Sequence, residues 1–285
     1  MNALLASSHY LHAVGNAPLP DLDAAIREAC REPYRRVDRF IQLALLGAAR
    51  CVGGRTLDRD CSLYLGSGVG PEGNNILVQE QICRDHLLPR PFNFVNTLGS
   101  AATYFVSKDR ALEGQGWWTS RRGASLEACL ELALNDLELG LCKQALVGIV
   151  EECPAPYEDH RQRVGAGPEQ ALAEGSHWLL LQAGFSDSAG SLELESLEPT
   201  QSLAELRALW QPGDSLAFGQ SVEAGLRAQL QDGLGVRAFG EDLPFHDSLA
   251  AARATAWLQQ KQKGRLHVVG GGPLGGIRVS VSAAT

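Results

Sequence analysis

The sequence predicts a layered α/β fold. Three observations carry this: helical and strand-like segments alternate through most of the chain, several strands are short apolar runs of the buried kind, and no low-complexity linker divides the sequence. A chain of 285 residues with 45% apolar content can bury one large core or two halves that share one. We therefore read residues 1–285 as a single domain, with one half spanning 1–185 and a second spanning 186–285.

The elements follow in order. RVDRFIQLALLGAARCV reads as a helix with Ile41, Leu45, Leu46 and Ala49 on one face. CSLYLGSG is a short buried strand ending in glycines, and NNILVQEQICRDHLL is a second helix, stopped by Pro89 and Pro91. FNFVNTLGSAATYFVSKDRALEG begins as a loop and becomes a helix with small residues on one side; the strand-like GWWTS comes next. From about Ala124 to Leu139 a helix turns Leu126, Cys129, Leu130, Ala133, Leu134 and Leu137 inward, with Glu127, Glu131, Asn135 and Glu138 towards water. Gly140 suits the position after that helix, because glycine accepts left-handed dihedrals cheaply. QALVGIV follows as a fully buried strand.

The second half reads more thinly. HWLLLQAG and SLELESL are strands, the latter by strict alternation. SLAELRALW is a helix, DSLAFG a short strand and SVEAGLRAQLQ a helix. HDSLAAARATAWLQQKQK is a long alanine-rich helix, and RLHVVGGGPLGGIRVSVS reads as strand, glycine loop, strand.

Composition narrows the partners. A net charge of −8 argues against nucleic acid. No run of eighteen apolar residues exists, so no membrane span is expected. The segment MNALLASSHYLHAVGNA lacks the basic and apolar regions of a signal peptide, so none is expected. Seven dispersed cysteines form no C-x-x-C pair and fit reduced thiols in a cytoplasm, with neither metal nor cofactor expected. The glycine loops GSGVG and GGGPLGG invite a phosphate-cradle reading. The second runs into a strand, and the first lacks a lysine and hydroxyl at the required spacing, so both read as tight turns.

One ordered set of features is more specific. Asn96 opens a helical segment, Gly114 sits at a turn, a strand runs into Gly123-Ala124-Ser125, a long helix ends at Gly140, and ALVGIVE closes the series. AEGSHWLLLQ places Glu174 and Gly175 ahead of a further strand, and GPLGGIRVSVS supplies a glycine turn and a last strand. This series resembles the β-ketoacyl synthase branch of the thiolase fold. The resemblance implies a layered α/β/α/β/α architecture with a complete N-terminal half and a truncated C-terminal half. It is good from about Leu63 to Gln182 and faint afterwards.

The resemblance also implies where chemistry should sit. Such synthases carry a nucleophilic cysteine where a strand meets a helix N-terminus, which lowers the thiol pKa. That position here is Gly123, which has no side chain. Of the family's two histidines, the first falls at Phe218 and the second at His246; the lysine preceding the second falls near Glu241. The catalytic set is thus degenerate at Gly123, Phe218, Glu241 and His246. Ser120 and Ser125 lie nearby without an evident base, and Cys153 is the best remaining thiol.

An emptied site of this type resembles a chain-length factor, an inactive homologue that pairs with an active ketosynthase and shapes its acyl tunnel. The shortened form is most similar to subunits of aryl-polyene pathways. Glutamine commonly replaces the cysteine in such factors; here the residue is Gly123, so that glutamine's role is not carried over. The implied partners are a full-length β-ketoacyl synthase and an acyl carrier protein bearing a phosphopantetheine-bound chain. The fold generally dimerises through the strand before the nucleophile, which points to Trp117, Trp118, Thr119, Arg121 and Arg122 as interface residues. Phe92, Phe94, Tyr104 and Phe105 are tunnel candidates. Two alternatives stay open: an acyl-transfer or thioester-hydrolysing enzyme with a relocated nucleophile, and a stand-alone carrier-binding or scaffold protein.

Overall fold

The computed structural model of the chain describes residues 2–15, 18–184, 190–197, 202–272 and 275–282. Strand β1 (Asn2–Ala13) leads through α1 (Asp23–Ala29) to α2 (Arg39–Val52) and β2 (Ser62–Gly66). Three helices follow, α3 (Glu72–Cys83), α4 (Pro91–Val95) and α5 (Gly99–Arg110), before β3 (Gly116–Thr119). A single 3-10 turn, Arg122–Ala124, opens α6 (Ser125–Glu138); then come β4 (Gln144–Glu151), α7 (Tyr157–Val164) and β5 (Ala173–Gln182). The remainder comprises β6 (Gly190–Leu197), α8 (Ser202–Leu209), β7 (Ser215–Phe218), α9 (Ala224–Leu234), α10 (Leu249–Gln259), β8 (Arg265–Gly272) and β9 (Gly275–Ser282). Pro273 and Leu274, in the glycine loop between the last two strands, lie outside the described residues.

One nine-stranded sheet runs in the order β3-β2-β4-β5-β1-β6-β9-β8-β7. Side-chain alternation sorts its residues into layers. Along β4, Ala145, Val147 and Ile149 point to a core built with α6 and α10, while Leu146 and Val150 point to a second core under α2 and α5. Along β7, Ala217 faces the first core, and Leu216 and Phe218 face a third under α8 and α9. Helices α6 and α10 are therefore sandwiched between the first five strands and the last four, with outer helices on each side. This is the α/β/α/β/α layering expected above.

Three features depart from the sequence reading. Strand β1 was not anticipated: its twelve residues mix Ala, Ser and His with Leu, which blurs alternation, yet it joins the halves by pairing with both β5 and β6. Helices α1, α4 and α7 were also unforeseen; each has eight residues or fewer, too short for a clear helical period. Finally, Glu127 does not face water but is 1% exposed. It lies in the first turn of a helix covered from both sides, against Gly270 of β8, where any Cβ would collide with its carboxylate.

Candidate functional site

The loop after β2, the end of β3, the start of α6 and the start of α10 converge. Glu151, the last residue of β4, ties them together. Its Oε2 accepts from Ser67 Oγ at 2.8 Å, and its Oε1 accepts from Gly68 N at 2.6 Å and from Ser248 Oγ. Burial pushes this carboxyl up to about 7, against the pull of its three donors. Ser125 closes the other side: its hydroxyl lies 2.7 Å from Arg122 O and 3.0 Å from Ser67 O, and it accepts from Arg121 N at 3.0 Å.

Gly123 sits buried in the 3-10 turn at the head of α6. Its side-chain space is taken. A Cβ built there would lie 2.6 Å from Gln220 Cγ and 2.9 Å from Gln220 Cδ. Gln220 donates through Nε2 to Asp247 Oδ1, and the Arg122 guanidinium stands 3.7 Å from Asp247 Oδ2. Arg122 adopts a φ of 51°, a left-handed conformation that costs a side-chain-bearing residue roughly 1 kcal/mol or more. Asp247 is thus the acidic neighbour that offsets the cation at this helix N-terminus. Neither Gln220 nor Asp247 stood out in the sequence, since both lie in loops joined only by the fold.

His246 is fully buried. Its Nδ1 accepts from Ser248 N at 3.1 Å, which leaves the proton on Nε2, facing His177 Nε2 at 3.2 Å. The two rings stack at 5.1 Å. His177 Nδ1 reaches Thr255 Oγ1 at 3.2 Å, and the same hydroxyl meets His9 Nδ1 at 2.9 Å. Burial, then the neighbouring His9 and Arg253, hold His246 down at about 3; burial likewise drives His177 well below its ordinary value. Both nitrogens of His246 are engaged and the ring is neutral, so it offers no free base. The His9–Thr255–His177 chain escaped the sequence reading because two strands and a helix supply it.

The remaining predicted positions separate. Phe218 packs into the third core beneath the Arg227 guanidinium, 5.2 Å from its ring centre; alternation along β7 turns it away, and Gln220, two residues on, reaches Gly123 instead. Glu241 is exposed and accepts from Gln231 at 3.1 Å. Trp117 is 44% exposed on β3, a terminal strand of the sheet. Trp118 turns the other way and packs edge-on against Phe40, and Thr119 takes part in the β2 ladder. Arg121 is exposed beside Arg122. Phe92, Phe94 and Tyr104 do not line an interior channel of this chain: they are 56%, 59% and 62% exposed. Phe105 is half-buried against Tyr34. Among the described residues, most exposed large apolar side chains lie between Leu77 and Trp117.

The other chemical groups are occupied. Cys153 is 1% exposed, beside a cavity of ≈ 550 Å³, and burial pushes its thiol up to about 12; a thiol so protonated is a poor nucleophile. Ser120 Oγ donates to Gly68 O at 3.1 Å. Three amides of the GSGVG turn and of the helix after it are taken within the protein, Gly68 by Glu151, Gly70 by Ser67 and Gly73 by Glu152, and so are not free to cradle an anion. Among the described residues, no group of three or more His, Cys, Asp or Glu side chains is placed to hold a metal ion, and no helix is long and apolar enough to cross a membrane.

No protein-family model and no curated protein matches the chain. Solved structures do. The ishigamide ketosynthase/chain length factor superposes with a TM-score of 0.66 at 18% identity, over 91% of this chain and 84% of that one. A ketosynthase (ApeO) in complex with its chain length factor (ApeC) from Xenorhabdus doucetiae gives 0.53 at 13% identity, over 98% and 99%. The 3-oxoacyl-(acyl carrier protein) synthase III of Pseudomonas aeruginosa PAO1 gives 0.59 at 17%, over 99% and 98%. At these identities the likeness shows the fold: this chain is built as thiolase-fold ketosynthases are.

Proposed function

We propose that this protein is a non-catalytic ketosynthase-like subunit of the chain-length-factor type, which pairs with an active β-ketoacyl synthase. The observation that carries the reading is a juxtaposition in one corner of the fold. Gly123, which we read as the nucleophile position, lies in the turn that follows a terminal strand whose surroundings expose an apolar surface. A terminal strand with unpaired backbone groups and exposed aromatics is built to be covered by another chain. Neighbours that are themselves ketosynthase and chain-length-factor proteins support the same reading. On it, Trp117 anchors the interface, with Arg121 and Arg122 at its rim. Phe92, Phe94 and Tyr104 meet the partner and shape the far end of its acyl tunnel, and a carrier protein delivers the chain to the partner's cysteine. Polyene or fatty-acid-like elongation is the reaction class this serves.

The relocated-nucleophile alternative finds little support, since Cys153 is buried and held protonated. Co-expression with a full-length synthase, with a tag on one subunit only, tests the proposal. The expected product is a one-to-one complex burying roughly 2,000–5,000 Å², active only through the partner's cysteine. A protein that purifies alone and turns over acyl thioesters would overturn it. Enlarging Phe92, Phe94 and Tyr104 to Trp, one at a time, should change product length; unchanged products in all three remove the tunnel role.

A further inference from the structure

We propose that Gln220 is a sealing residue: it fills the space that a side chain at residue 123 would occupy, so this subunit excludes an acyl thioester from the head of α6 rather than merely lacking a thiol. The inference rests on the reading of Gly123 as the nucleophile position. A Cβ at Gly123 would come within 2.6 Å of Gln220 Cγ, 2.9 Å of Cδ and 3.1 Å of Nε2. The two carbon approaches are closer than packed side chains allow, so a side chain at 123 requires Gln220 to leave its place.

The seal is anchored. Gln220 Nε2 donates to Asp247 Oδ1, and Asp247 is 3% exposed. Its carboxylate lies so close over Gly68 that any Cβ there would collide with it. Arg122 stands on the far side of that carboxylate at 3.7 Å and donates to Arg163 O at 3.2 Å. Four separate segments thereby hold one amide over one glycine. Gln220 Oε1 is buried without a hydrogen-bond partner, so the amide keeps this place at the expense of its own carbonyl. Beneath the seal, the framework that activates a thiol persists: a turn into a fourteen-residue helix, with Arg121 and Arg122 beside its positive end. The position is latent, closed by a single side chain.

The test uses the full chain with its synthase partner and three variants: Gly123→Cys, Gln220→Ala and the two combined. Alkylation of residue 123 by iodoacetamide and by chloroacetyl-pantetheine is followed by peptide mass mapping, which separates it from the native cysteines. The double variant should be alkylated about tenfold faster or more than Gly123→Cys alone, because only it gives a reagent access to the thiolate. Equal and measurable rates of labelling in Gly123→Cys and in the double variant would overturn the seal.

A second cycle guards against misfolding. Gly123→Ala should lower the urea midpoint, and adding Gln220→Ala should recover it; simple additivity of the two effects would count against the seal. Should that cycle show coupling while residue 123 stays inert in the folded double variant, the seal stands and the nucleophile-position reading fails.

Discussion

The buried pair His177–His246 makes a quantitative prediction about acid stability. Folded His246 takes up its proton only near pH 3, whereas the unfolded chain does so at the ordinary 6.5. Between these values the unfolded state holds more protons, so stability is intact above pH 6.5 and falls as the pH drops through it. At about 1.36 kcal/mol per pH unit, lowering the pH from about 7.5 to 4.5 costs on the order of 3 kcal/mol through His246 alone. Buried carboxyls complicate the raw profile. Glu127 and Glu151, held near 7, release their protons as the pH rises and so favour the folded state in acid. The test is therefore a difference. Urea unfolding of the wild type and of His246→Gln, at matched pH values, should diverge by roughly 2–3 kcal/mol between those two pH values, with the wild type losing more. Parallel profiles would refute the argument. So would an NMR titration in which the His246 ring of the intact protein protonates near pH 6.

Two further outcomes follow from the same structure. Glu127 is fully buried with neither oxygen hydrogen-bonded, and burial holds its carboxyl at about 7 against an ordinary 4.5. Its ionisation therefore costs about 3 kcal/mol at pH 8, and Glu127→Gln should recover most of that in denaturant midpoints while changing little at pH 5. At the apolar corner, Trp117→Ala should weaken association with the synthase by about 2 kcal/mol, or roughly 30-fold, with the isolated chain's melting temperature unchanged; binding within about twofold of wild type would move the interface off β3.

How much of this could be read from the sequence depended on range. Elements α2, α6, β2 and β4 are long or apolar enough for periodicity to speak, and the α/β class follows from them, whereas the five-layer order came from the family resemblance. The ordered run from Asn96 through Gly123 to Glu151 was legible because it is contiguous. Glu127 was misplaced because helical periodicity knows only one covered face, and here strands cover two. Gln220 was missed for a related reason: the Phe218 position could be reached by counting, but which loop side chain ends over Gly123 is fixed by a contact about a hundred residues away in the chain. His177 hid inside an apolar strand, AEGSHWLLLQ, where alternation gives its face but not its partners.

The placement of β1 bears on how the chain is made. In the finished sheet it lies between β5 and β6, yet both partners are encoded far downstream. The ribosome therefore releases this strand roughly 160 residues before β5, which at 5–20 residues per second is a wait of about 8–30 seconds. For that interval its backbone has no ladder to join. The hydroxyls and imidazoles that blur its pattern, from Ser7 to His9 and again at His12, also interrupt any long apolar run in it. The residues that made this strand hard to recognise are thus the ones suited to keeping it soluble until the rest of the sheet arrives.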